Sequence, residues 1–361
     1  MGQATHYLKR DIPFRLHRGG ELPNVTVAWE CWGELNASHS NAVLVFTGLS
    51  ASAHAASNDL DSSPGWWEGI IGPQKAIDTN RFFVICVNSL GSCLGSTGPQ
   101  SIHSKTKRPW RLDFPELAIE DIAAAAELVV THLGIDKLYA LVGPSMGGMS
   151  ALAWLKGFPH RTKRIALIST ACASSPFALA IRSLQREAIV TDRNFHDGQY
   201  DDDNWPEVGM RLARKLGMIT YRSSVEWDTR FGRRRQDYFP QQPFGMRFEV
   251  ESYLETHARK FVGQFDPCSY LYLSRAMDMF DACEGSETLA QMFACTFEGQ
   301  ALVLGVDSDI LFPSHLQQEL AVGLEASGSE VSFEILRSNK GHDAFLVDSF
   351  LFEKPLRSWL G

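Results

Sequence analysis

Short apolar runs separated by stretches of helical periodicity organise this chain. The runs at 42–46, 82–87, 138–142, 164–169, 301–306 and 331–336 are each about as long as one buried strand, and residues 25–32 partly alternate. Between them, residues 115–133 place Ile119, Ile122, Ala123, Ala126, Val129 and Val130 on one helical stripe behind the acidic first-turn residues Glu116, Glu120 and Asp121. Residues 149–155 continue helically from the 138–142 run. Alternating strands and helices predict a mainly parallel α/β sheet covered on both faces.

That alternation stops at about residue 171 and resumes at about 299. The interval carries only helix-like stretches, at 178–189, 207–216, 250–261 and 270–280. It predicts a helical lid, 171–298, inserted into a core of 1–170 and 299–361, with a last helix from Ser349. The Gly- and Ser-rich segment 88–99 reads as a tight surface loop at the rim of a pocket.

The 361 residues, 44% hydrophobic and 21% charged, are enough for a large globular core. A net charge of -8 disfavours nucleic acid and anionic membrane as partners. Seven cysteines without a C-x-x-C pair suggest neither a disulfide framework nor a metal site. With no apolar leader and no run of spanning length, the chain reads as cytoplasmic.

Chemistry enters where the 138–142 run meets Gly143-Pro144-Ser145-Met146-Gly147. This is a strand, a sharp turn of small residues and a helix start, the G-x-S-x-G pattern that exposes a serine Oγ above a sheet edge. Ser145 is therefore the candidate nucleophile. The N–H of Met146, with that of Leu49 in the loop after 42–46, is the candidate oxyanion hole. An acid and a histidine should follow in that order. The 301–306 run ends at Asp307 and Asp309, either of which suits an orienting carboxylate, and 331–336 leads to His342, the candidate base. His54, near the loop 47–50, is the other histidine placed close to such a site.

Together with this elbow, Gly65-Trp66-Trp67, Gly95-Ser96-Thr97-Gly98-Pro99, Asp113-Phe114-Pro115, Val250-Glu251-Ser252-Tyr253-Leu254 and Gly341-His342-Asp343-Ala344-Phe345 resemble motifs of the homoserine and serine O-acyltransferases, a family of α/β-hydrolase fold. The likeness covers nearly the whole chain. It implies Ser145, Asp309 and His342 as a triad, and Arg214 and Asp343 as holders of an amino-acid substrate. It also implies acyl-CoA (succinyl-CoA or acetyl-CoA) as co-substrate with no bound cofactor, and a homodimer joined through the lid.

Segments 88–93, 182–189 and 230–233 are most similar to the branch that acylates L-serine. Arg182 stands where the homoserine enzymes tend to carry a neutral polar residue, and Leu311 where the succinyl-preferring ones tend to carry arginine. The two positions pull donor choice in opposite directions, with the balance towards succinyl. The basic groups 105–108 and 233–235 read as solvated faces, with contact to CoA phosphates as the alternative. A homoserine acyltransferase and an esterase or thioesterase of the same fold are the competing readings.

Overall fold

A computed structural model describes residues 4–237 and 243–361. Its centre is an eight-stranded sheet of β1 (His6–Arg10), β2 (Val25–Trp32), β3 (Ala42–Phe46), β4 (Phe83–Val87), β5 (Ala140–Pro144), β6 (Arg164–Ile168), β7 (Gln300–Val306) and β8 (Glu330–Leu336). The spatial order is β1-β2-β4-β3-β5-β6-β7-β8. β1 and β2 are antiparallel to their neighbours, and β4 through β8 run parallel.

The central strands are continuously apolar because both faces are covered. Leu44, Phe46, Ile85, Leu141, Ile165 and Val303 point into one core layer, while Val43, Val45, Val84, Val142, Ile168 and Leu304 point into the other. α1 (Ile119–His132) and α2 (Met146–Gly157) cover the first face. The last helix, Phe350–Leu360, covers the second with Phe352, Leu356 and Leu360. β8 is an exposed edge strand, and β1, which carries mostly polar residues, escapes the sequence pattern altogether.

Between β6 and β7 the chain forms α3 (Pro176–Val190), α4 (Glu207–Tyr221), α5 (Ser224–Phe231), α6 (Glu249–Phe261), α7 (Pro267–Met279) and α8 (Leu289–Thr296). Local chemistry starts these helices. Ser175 accepts from Ala178 N at 3.2 Å and Asp266 from Ser269 N at 2.8 Å, each followed by proline in the first turn. α3 packs on α4 and α7, and α4 on α6. α8 instead meets α9 (Ser314–Ala326), where a Cβ at Gly323 would fall 2.7 Å from Leu289 Cβ.

The loop 88–99 differs from its expected place. Its residues are largely buried, Ser96 Oγ accepts from Ala28 N at 3.0 Å, and Thr97 Oγ1 accepts from Thr26 N at 2.8 Å. It fastens to β2, so its serines and glycines serve close packing and not a wall beside Ser145.

Candidate active site

β5, β7 and β8 deliver their chain ends to one edge of the sheet, and the lid helices stand over that edge. Ser145 has φ 55° and ψ -124°, the strained conformation of a serine lifted out of a strand-to-helix turn. Two glycines make the turn possible. A Cβ on Gly143 would lie 2.2 Å from Gly147 O, and one on Gly147 would lie 2.6 Å from Phe46 O.

His342 is buried at the end of β8, with Nε2 2.8 Å from Ser145 Oγ and Nδ1 2.8 Å from Asp309 Oδ2. Asp309 turns its other oxygen, Oδ1, to the N–H groups of Leu311 and Phe312 at 2.9 and 2.8 Å, which fixes the carboxylate plane. Asp307 does not reach the imidazole; its Oδ1 accepts from Ser338 N at 3.2 Å. Burial opposes a charged His342, but the Asp309 carboxylate, by charge and hydrogen bond, and Asp343 outweigh burial and Arg182, so the pKa is raised from 6.5.

Such a chain can activate the serine hydroxyl by proton transfer to Nε2 while Asp309 holds the Nδ1–H tautomer. Met146 follows Ser145 and opens α2, whose first N–H groups have no intrahelical acceptor, and Leu49 lines the cavity that Ser145 also lines. Trp66 and Trp67 brace this edge. Trp66 Nε1 donates to Ser52 O at 3.0 Å and Trp67 Nε1 to Phe345 O at 2.9 Å, tying the loops after β3 and after His342 to one turn.

The cavity over Ser145 is closed on the lid side by Ile181, Arg182, Gln185, Tyr221, Tyr270 and Met277, and on the core side by Leu49, Leu311 and Asp343 among others. Among the described residues, Arg182 is its only arginine or lysine. Nε of Arg182 meets Asp278 Oδ1 at 2.5 Å, and Nη2 bonds Ser174 Oγ. Among the described residues Nη1 has no partner.

Arg214 lies elsewhere. It lines an adjoining chamber with Arg222, Trp227, Tyr253, His257 and Lys260, and only Tyr221 and Asp343 belong to both spaces. Arg214 stacks over Phe261 at 4.7 Å, and its buried Nε has no hydrogen-bond partner among the described residues. Asp343 accepts from Arg222 Nε at 2.9 Å. Burial raises its pKa, against the pull of Arg222, His342 and Arg214.

Tyr221 and Tyr270 carry no functional signal in sequence, because an aromatic residue on an amphipathic helix reads as core. His54 plays no part in the cavity. Its Nδ1 donates to Glu30 Oε2 (2.9 Å) and its Nε2 to Ser63 O (2.8 Å), holding the loop that follows β3. Neither basic run, 105–108 or 233–235, lines either space.

The model of the alpha/beta hydrolase fold matches residues 41–349. The chain belongs to the α/β-hydrolase family. Within it, a serine O-succinyltransferase of Stenotrophomonas maltophilia (strain K279a) is 54% identical, over 99% of this chain and 97% of its own length. Among solved structures, a homoserine O-acetyltransferase from Bacillus anthracis superposes with TM-score 0.91 at 27% identity, covering 100% of this chain and 98% of its own. Esterase E22 reaches TM-score 0.90 at 28% identity, covering 99% of both chains. No helix among the described residues is long and apolar enough to cross a membrane.

Proposed function

We propose that the protein transfers a succinyl group from succinyl-CoA to the hydroxyl of L-serine. The observation that carries the choice of donor is Arg182, a buried residue that lines the cavity also lined by Ser145 and whose Nη1 has no partner among the described residues. A carboxylate at the far end of a succinyl chain gains a charge-assisted hydrogen bond there, which an acetyl group cannot make. Leu311 supplies no second charge. The 54% identity to a serine O-succinyltransferase supports the same donor and acceptor.

In this reading Ser145 Oγ attacks the thioester carbonyl as His342 Nε2 takes its proton. The oxyanion collects N–H groups from Met146 and Leu49, the C–S bond breaks, and His342 returns the proton to the CoA sulfur. L-serine then enters. His342 removes its hydroxyl proton, that oxygen attacks the acyl-enzyme, and the proton passes to Ser145 Oγ as O-succinylserine leaves. Arg214 and Asp343 suit the carboxylate and ammonium of the amino acid from the side of the adjoining chamber. No prosthetic group is required. The lid over 171–298 limits water at the acyl-enzyme.

Pairing through the lid fits the surface. Val208, Leu212 and Ile219 stand on one face of α4 and are 55%, 48% and 46% exposed, beside exposed Phe177 and Leu184 on α3. We take this apolar stripe as the contact of a homodimer. Seven free cysteines among the described residues fit a reducing, cytoplasmic setting.

Intact-mass measurement tests the covalent step. Incubation with succinyl-CoA without acceptor should add one succinyl group to the wild type and none to Ser145→Ala, and added L-serine should remove it as O-succinylserine. An unmodified wild type that still makes O-succinylserine would exclude the acyl-enzyme.

A further inference from the structure

The chamber beyond Tyr221 is built with uncompensated positive charge, and the contrast with its surroundings is local. On α4 and α6, Glu255 gathers Arg211 at 3.1 Å, Lys215 at 2.5 Å and Arg259 at 2.6 Å, and Glu207 also faces Arg211 and Arg259, so each cation on that flank has a carboxylate partner. Arg214 and Lys260, from the same two helices, turn into the chamber and have no carboxylate within 4 Å among the described residues. Arg222 is neutralised by Glu226 and Asp343. His257 faces the same space, and its pKa is lowered by burial and then by Lys260, Arg230, Arg214 and Arg222, so the potential there is positive. Trp227, Tyr253 and Phe261 supply aromatic walls.

Reach agrees with this charge. Glu255 faces Arg211 and Lys215, and Arg259 faces Glu207 at 3.8 Å, so α6 runs antiparallel to α4 and Lys260 stands level with the start of α4. Tyr221, at the other end of α4, borders the Ser145 cavity. Fourteen residues from Glu207 to Tyr221 span roughly 21 Å of helix axis at 1.5 Å per residue, and the long Lys260 side chain lines the same chamber as Tyr221. A pantetheine arm, with two amide units and their flanking methylenes, is similar in length to about four residues of extended chain, roughly 14 Å. A donor held with its thioester at Ser145 and its arm passing Tyr221 would bring its phosphates into the chamber that Lys260 and His257 line.

We propose that Lys260 and His257 form a phosphate subsite for the CoA moiety of the donor, in the chamber that Tyr221 and Asp343 join to the nucleophile. This rests on the acyl-CoA reading above. Arg214, nearer Tyr221, stays with the amino acid. The basic runs 105–108 and 233–235, which suggest themselves from sequence, take no part.

The test compares three donors with L-serine as acceptor: succinyl-CoA, succinyl-dephospho-CoA and S-succinylpantetheine. In Lys260→Gln and His257→Gln, kcat/KM for succinyl-CoA should fall by about 10-fold or more while that for S-succinylpantetheine changes little, so the ratio between donors collapses. Lys215→Gln, at a lysine that pairs with Glu255 and does not line the chamber, should leave the ratio as in the wild type. If succinyl-dephospho-CoA behaves as succinyl-CoA, the subsite takes the pyrophosphate; if it behaves as the pantetheine donor, the subsite takes the 3′-phosphate. Equal losses on all donors, or no loss on any, would overturn the subsite while leaving the acyltransferase intact. Failure of every donor to give serine-dependent thiol release in the wild type would instead overturn the acyl-CoA reading.

Discussion

Arg182 and Asp278 meet at 2.5 Å in the lid, with their side chains 6% and 5% exposed, and Arg186 closes on the other Asp278 oxygen at 2.6 Å. Two guanidiniums share one carboxylate, leaving a net positive charge in the wall of Ser145's cavity, which Arg182 lines. On the proposed reading, donor choice and the stability of these helices share this element, and the two can be separated by mutation.

Arg182→Asn removes the cavity charge and leaves Asp278 paired with Arg186. Loss of a charge-assisted hydrogen bond, about 1.5–3 kcal/mol, should lower kcat/KM for succinyl-CoA by on the order of 10- to 100-fold with little effect on acetyl-CoA. Steady-state kinetics with both donors measures this. Unchanged kinetics with both would remove Arg182 from donor recognition.

Asp278→Asn has the opposite emphasis. It strands two buried guanidiniums without a counter-charge and should cost roughly 3–5 kcal/mol of stability, seen as a lower thermal midpoint and denaturant midpoint. A fully stable variant would mean that water reaches the pair.

The triad sets a pH dependence. His342 must be neutral to accept the Ser145 proton, and its pKa is raised above 6.5, so kcat/KM should fall as pH drops through a limb lying above 6.5. Asp309→Asn removes the charge that opposes burial, so this limb should move to lower pH while the rate falls by on the order of 10⁴-fold through loss of the tautomer. A pH–rate profile in both proteins decides it; a limb that stays in place would break the link between Asp309 and His342.

Gly147→Ala places a Cβ 2.6 Å from Phe46 O, a backbone atom with no room to move without shifting β3. Overpacking of this kind costs about 1–3 kcal/mol, and here it also displaces the Met146 N–H. Folding should survive, with activity reduced by on the order of 10²-fold. Circular dichroism and turnover, read together, distinguish this from simple unfolding.

Leu212→Glu and Ile219→Glu place charge on the exposed stripe of α4. Light scattering after size exclusion should show a dimer for the wild type and a monomer for the double variant. A wild type that is already monomeric at micromolar concentration would exclude the lid contact.

The core and the triad were legible because their signals are local. Ala42–Phe46 and Ala140–Pro144 are apolar on both faces, and Gly143 to Gly147 encode one turn. β1 was not legible, since His6–Arg10 carries polar residues on an edge and is a strand only through its pairing with β2. α9, with Leu316, Leu320 and Leu324 buried, carried a readable period that the surrounding strand signals obscured. Tyr221 and Tyr270 acquire their place from how α4 and α7 pack over the sheet edge, which no window of sequence contains. The separation of Arg214 from Ser145's cavity likewise depends on the tilt of the lid.

Thiol release is the most direct measurement of the central claim. Free CoA should be followed from succinyl-CoA and from acetyl-CoA, each with L-serine, L-homoserine or no acceptor. The proposed role of Arg182, which lines one cavity with Ser145, predicts rapid release from succinyl-CoA with L-serine alone. Release independent of any acceptor would make the protein a hydrolase, in keeping with its similarity to esterase E22, and dependence on L-homoserine would contradict the assigned acceptor.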